Sequence, residues 1–105
     1  MIQIETIQKI ASNSDHVIIT QHSTYRMQER NIRYADIMAA ITSGEIIEQY
    51  PDDFPNPSCL IFGITISKRI LHVVCGTDGE YLWIITAYYP SQEKWELDYK
   101  TRRKR

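Results

Sequence analysis

The stretch SCLIFGITISKRILHVVCGTDGEYLWIITAY (residues 58–88) decides the fold. Three runs inside it, S-C-L-I-F-G-I-T (58–65), R-I-L-H-V-V-C (69–75) and E-Y-L-W-I-I-T-A-Y (80–88), are rich in β-branched and aromatic side chains. Such side chains pack well on a pleated surface, so each run predicts a strand. The connections I-S-K and G-T-D-G are too short for a crossover helix and predict hairpins, hence an antiparallel meander. The last two strands are apolar on both faces, which places them centrally or under good cover.

Upstream, E-I-I-E-Q-Y (45–50) predicts a fourth strand, closed by the loop P-D-D-F-P-N-P (51–57), whose prolines cannot sit inside a sheet. Before it the period changes from 2 to 3.6. Residues 34–42 carry an apolar stripe of Ile37, Met38 and Ile41, and residues 2–11 a weaker one of Ile2, Ile7 and Ile10; both predict amphipathic helices. Gly44 stands where a helix end commonly needs a left-handed residue. Between these segments H-S-T-Y-R-M-Q-E-R (22–30) predicts a further helix, with Thr20 as its N-cap after the short apolar run V-I-I (17–19). The expected architecture is α+β: two or three N-terminal helices on a four-stranded antiparallel meander.

One domain spanning residues 1–105 is expected from the length. No apolar run approaches the roughly 20 residues of a membrane span. The N-terminus lacks a basic region followed by an apolar block, so the cytoplasm is the expected location. Cys59 and Cys75 fall on neighbouring predicted strands and, without C-x-x-C spacing, predict buried thiols rather than a metal site. Net charge is −1, but five of the twelve Lys and Arg lie in K-T-R-R-K-R (100–105). Such a basic tail is either solvated or a footprint for phosphate.

The helix over 22–30 lacks an ordinary apolar stripe. His22, Arg26 and Arg30 align at i, i+4 and i+8 instead. On the strand 69–75, His72 shares a face with Ile70 and Val74; on the strand 80–88, Thr86 and Tyr88 share a face, with Leu82 and Ile84 behind them. If the helix crosses the sheet, these groups converge in one cleft, with Tyr50 within reach. No glycine-rich phosphate loop, G-x-S-x-G elbow or carboxylate cluster for Mg²⁺ is present, so neither metal nor cofactor is expected.

Two imidazoles and two guanidiniums suit RNA cleavage by attack of the ribose 2′-OH on the adjacent phosphate. Histidine titrates near neutrality, and arginine's planar fork matches phosphate oxygens. His22 is expected as general base and His72 as general acid, or the reverse. Arg26 and Arg30 would hold the phosphate, and Thr86 and Tyr88 would orient it. Tyr50 and Trp95 offer stacking surfaces, and Lys100, Arg102 and Arg103 backbone contacts. A lone histidine on an apolar strand is more often a hydrogen-bonded core histidine than a catalyst, and the arginines could instead be solvated or pair with Glu29 and the acidic loop.

Several segments together resemble a small bacterial domain-of-unknown-function family: H-x-x-x-R-M-x-E-R-x-I (22–32), D-I-M-A-A-I-T-S-G-E-I-I-E (36–48), L-H-V-V (71–74), I-T-A-Y (85–88) and K-W-E (94–96). That family resembles the barnase, EndoU, colicin and RelE superfamily of metal-independent ribonuclease toxins, whose members often lie beside an antitoxin, frequently of the MqsA type. The resemblance implies a RelE/barnase-like fold, functional positions at His22, Arg26, Arg30, His72, Thr86 and Tyr88, and RNA and a cognate antitoxin as partners. Two departures stand out: Asn31 replaces a common Gly, and the chain is not strongly basic. The expectation is a toxin-like endoribonuclease acting on single-stranded RNA; the alternative is a non-catalytic protein- or RNA-binding module of the same fold.

Overall fold

The computed structural model describes residues 1–104. Its elements run α1 (Ile4–Ala11), a 3-10 turn (Ser14–His16), β1 (Val17–Ile19), α2 (Gln21–Glu29), α3 (Tyr34–Thr42), β2 (Glu45–Tyr50), β3 (Ser58–Ile64), β4 (Ile70–Thr77) and β5 (Leu82–Tyr88). The class is α+β, with three helices. β2 to β5 form the expected antiparallel meander. The sheet nevertheless has five strands in the order β1-β5-β4-β3-β2, because V-I-I pairs parallel to β5, Val17 opposite Leu82 and Ile19 opposite Ile84. Three residues are too few to show a period, so the sequence alone hid this strand.

The helices cover one face only. Ile7 and Ile10 of α1, Met27 of α2 and Ile37, Ala40 and Ile41 of α3 pack with Cys59, Ile61, Leu71, Val73, Cys75, Leu82, Ile84 and Ala87 into one core. Close approach of α3 requires Gly63, where an added Cβ would lie 2.0 Å from the Ala40 carbonyl oxygen. Gly44 serves the same purpose. It has no positive φ, and α3 ends on Ser43 in right-handed conformation; a Cβ at Gly44 would come within 2.5 Å of the Ala40 carbonyl oxygen. The expected left-handed cap is therefore corrected to a packing glycine. Left-handed geometry falls on Asn31 instead, at φ 60°. Cys59 and Cys75 face each other across β3 and β4, buried, with sulfurs 4.0 Å apart.

A bulge in β5 sets the sidedness of the rest. Val74 pairs with Thr86 but Cys75 pairs with Ile84, which leaves Ile85 as an extra residue. Thr86 and Tyr88 are thus turned away from Leu82 and Ile84, contrary to simple alternation. They join Val74, His72, Phe62, Leu60, Glu48 and Tyr50 on the face opposite the helices. The segment 91–104 turns back on itself through a bridge between Trp95 and Arg102 and lies across one end of that face, held there by pairs of Lys100 with Glu45 and Arg102 with Glu48.

Candidate functional site

α2 does not cross the sheet; it runs along the edge of β5 that β1 leaves unpaired. Thr20 caps it by accepting from Ser23 N–H at 3.1 Å. From there its inward stripe is Ser23, Met27 and Arg30, at i, i+4 and i+7. The Ser23 hydroxyl donates to the Ile85 carbonyl at 2.9 Å. Arg30 Nη1 donates to the Ala87 carbonyl at 2.8 Å and to the Thr86 hydroxyl at 3.1 Å. Two carbonyls of an open strand edge are thereby satisfied by side chains, which explains why this helix carries so few apolar residues.

Arg30 emerges on the open face at a hollow of about 400 Å³, lined also by Tyr88, Lys94, Trp95 and Arg102. Arg102 is held by a two-pronged pair with Glu48 at 2.8 and 3.0 Å and lies 4.7 Å from the Trp95 ring centre. Tyr50 donates to the same carboxylate. Burial pushes the Glu48 carboxyl up, but the hydrogen bonds from Arg102 and Tyr50 and the Arg102 charge outweigh it and hold it below its ordinary value. Burial and the bond to Glu48 push the Tyr50 phenol up to about 12. Among the described residues neither Arg30 nor Lys94 pairs with a carboxylate, so the hollow keeps a positive excess.

His72 lies beneath this hollow, fully buried. Its Nε2 sits 2.7 Å from the Tyr99 carbonyl oxygen and its Nδ1 3.3 Å from the Tyr88 hydroxyl. A carbonyl only accepts, so Nε2 carries the proton and Nδ1 accepts from Tyr88. Burial pushes the His72 pKa down against the opposing pull of the Tyr99 carbonyl, which keeps the ring neutral. Burial likewise raises the Tyr88 phenol. The edge of the Trp95 indole meets the imidazole at 4.6 Å between ring centres.

The single cleft expected from the sequence is not found. Arg30, Tyr88, Trp95 and Arg102 share the hollow, with Thr86 and His72 bonded to its walls. His22 is exposed at the opposite end of the face, on a separate cavity. Arg26 is exposed on α2 between them and lines neither cavity. Trp95 is only 2% accessible and offers no free face for stacking. The C-terminal segment is not a free basic tail: Lys100 pairs with Glu45 at 3.0 Å, and Arg103 with Glu96 at 3.1 Å and the Gln92 carbonyl. Arg105 lies outside the described residues. Lys94 escaped sequence reasoning although K-W-E contains it, because nothing local distinguishes it from a solvated lysine. No cluster of three or more His, Cys, Asp or Glu is placed to hold a metal ion among the described residues. Among the described residues no helix is long and apolar enough to cross a membrane.

Residues 19–89 match the family described as domain of unknown function DUF4258, from β1 to just past β5. No curated protein and no solved structure matches the chain. The matched span contains Arg30, His72, Thr86 and Tyr88, while Lys94, Trp95 and Arg102 are contributed from beyond it. By this match, which covers more than half of its length, the chain belongs to the DUF4258 family.

Proposed function

We propose that this protein binds single-stranded RNA on the open sheet face and cleaves it in the Arg30–Tyr88–Lys94–Arg102 hollow, as a toxin-like endoribonuclease of the barnase, EndoU, colicin and RelE kind with a cognate antitoxin as protein partner. One observation carries the proposal: three cations from α2 and the C-terminal segment gather around a phenol backed by a neutral imidazole. Arg30 and Arg102 hold the phosphate oxygens and stabilise the dianionic phosphorane. Tyr88 oxygen takes the 2′-OH proton as its own passes to His72 Nδ1, the 2′-oxygen bonds to phosphorus, and the 5′-oxygen leaves with a proton from Lys94. The products are a 2′,3′-cyclic phosphate and a 5′-hydroxyl end.

The test is digestion of a defined single-stranded RNA in EDTA, with the new ends identified chemically. Cleavage to cyclic phosphate ends, slowed at least about 100-fold in Tyr88→Phe, is expected. Intact RNA at every protein concentration would remove catalysis. A second reading, an RNA- or protein-binding module without turnover, is favoured by the sealing of His72 under Trp95 and Tyr99. It predicts salt-dependent RNA binding that Lys94→Ala weakens, with no new ends.

A further inference from the structure

The other end of the open face holds a second cavity, of about 500 Å³. Gly76, Trp83 and the bulged Ile85 form its floor, and the loop at 51–57 and the start of α2 form its walls. Its lining is mainly apolar: Phe54 is 89% exposed and Ile85 44% exposed. Trp83 is half-buried and flanked by Tyr81, at 6.1 Å between ring centres. His22, Thr20 and Asn56 add polar edges. The carboxylate of Asp53 also lines it, held ionised by the Ser58 hydroxyl at 2.6 Å and the Phe54 N–H at 2.9 Å. A fixed negative charge repels phosphate, whereas a flat neutral ring gains from the aromatic floor.

The helix joins this cavity to the cationic hollow. His22 lines the first and Arg30 the second. Eight residues of α-helix separate them by about 12 Å, with Arg26 exposed midway. A strand a few nucleotides long can touch both ends while its backbone passes Arg26.

We infer that the Trp83–Phe54 cavity is a nucleobase subsite, receiving an unpaired base of the strand whose phosphate occupies the Arg30 hollow. The inference rests on the RNA binding proposed above. The base lies against Trp83 and Phe54, with its hydrogen-bonding edge toward His22 and Asn56. The His22–Arg26–Arg30 stripe is then a track along one strand, with a ring at one end and a phosphate at the other. His22 contacts the base and takes no part in the proton transfers.

Fluorescence anisotropy of a labelled hexanucleotide, compared with the same strand made abasic, tests this on the Tyr88→Phe protein, in which cleavage is slowed, with the strand checked for new ends after each titration. Phe54→Ala and His22→Ala, both at exposed positions, are expected to weaken the intact strand, by about tenfold for Phe54→Ala, and to leave the abasic strand unchanged. Lys94→Ala weakens both strands equally. Equal losses for both strands in Phe54→Ala, or none, would overturn the subsite while leaving RNA binding in place. If neither strand binds, RNA binding itself falls, and quenching of tryptophan fluorescence by free adenosine decides the cavity. Quenching abolished by Phe54→Ala upholds a ring site, and no quenching removes it.

Discussion

Substituting Gly63 by alanine tests the sidedness on which the open face depends. An added Cβ at Gly63 would lie 2.0, 2.5 and 2.6 Å from the carbonyl oxygen, carbonyl carbon and Cα of Ala40, all backbone. No side chain can swing aside, so α3 must lift by about 1 Å to restore contact distance. A gap of that size forfeits roughly a quarter to a half of the dispersion energy across it. Ile37 and Ile41, both fully buried, contribute about 2–3 kcal/mol each by burial. The loss is then about 1–3 kcal/mol, with overpacking strain added and a few tenths regained because alanine restricts the unfolded chain. A net cost of about 2–3 kcal/mol lowers Tm by about 8–12 °C at this chain length. Gly76→Ala is the control, since its Cβ would come no closer than 3.2 Å to the Pro57 carbonyl oxygen and would meet the Ile85 and Ser58 side chains at ordinary contact distances of 3.7 and 3.8 Å, and it should change stability by less than about 1 kcal/mol. Thermal and urea unfolding followed by circular dichroism measures both variants. If Gly63→Ala costs no more than Gly76→Ala, α3 does not pack on that face and His72 need not look away from the helices.

Other outcomes follow from the same geometry. Ser23→Ala strips the Ile85 carbonyl of its donor and should cost about 1–2 kcal/mol in urea unfolding, with a smaller loss in Ser23→Thr. His72, held neutral by burial in the folded chain, takes up a proton on unfolding below its ordinary pKa of about 6.5. Stability is therefore full above that value and falls as pH drops toward about 5, where the carboxylates are still ionised; unfolding curves for His72→Phe should lack this step. Cys59 and Cys75 should resist a water-soluble thiol reagent until the chain unfolds, because both are buried and the contact to Cys59, together with burial, pushes the Cys75 thiol well up.

The meander was legible because each of its strands is long enough to show alternation and its connections leave no room for crossovers. α1 and α3 were legible from their apolar stripes, and α2 from its N-cap at Thr20. Three features were not. V-I-I is too short to carry a period, so the parallel β1 and the edge it leaves uncovered stayed hidden. The bulge at Ile85 leaves no mark in composition, yet it turns Thr86 and Tyr88 to the other face. The charge stripe on α2 was visible, but its alignment at i, i+4 and i+8 drew attention away from Ser23, Met27 and Arg30, which make the inward contacts. Arg30 belongs to both sets, since its planar head bonds the strand edge and still lines the hollow. The C-terminal segment looked like a tail because its carboxylate partners, Glu45 and Glu48, are more than fifty residues away in sequence.

Pairing of β1 with β5 has a consequence for the order in which the molecule can assemble. Val17 must wait for Leu82, and Arg30 for Ala87, so β1 and α2 lack their sheet partner while the middle of the chain is being synthesised, whereas α1 can already bond to the end of α3 through Gln8. Such distant pairings slow folding and lengthen exposure of unassembled segments. The cationic hollow comes later still, when Arg102 reaches Glu48. The hollow therefore cannot close until the stretch bearing Lys94 and Arg102 has been made and has docked on the finished sheet.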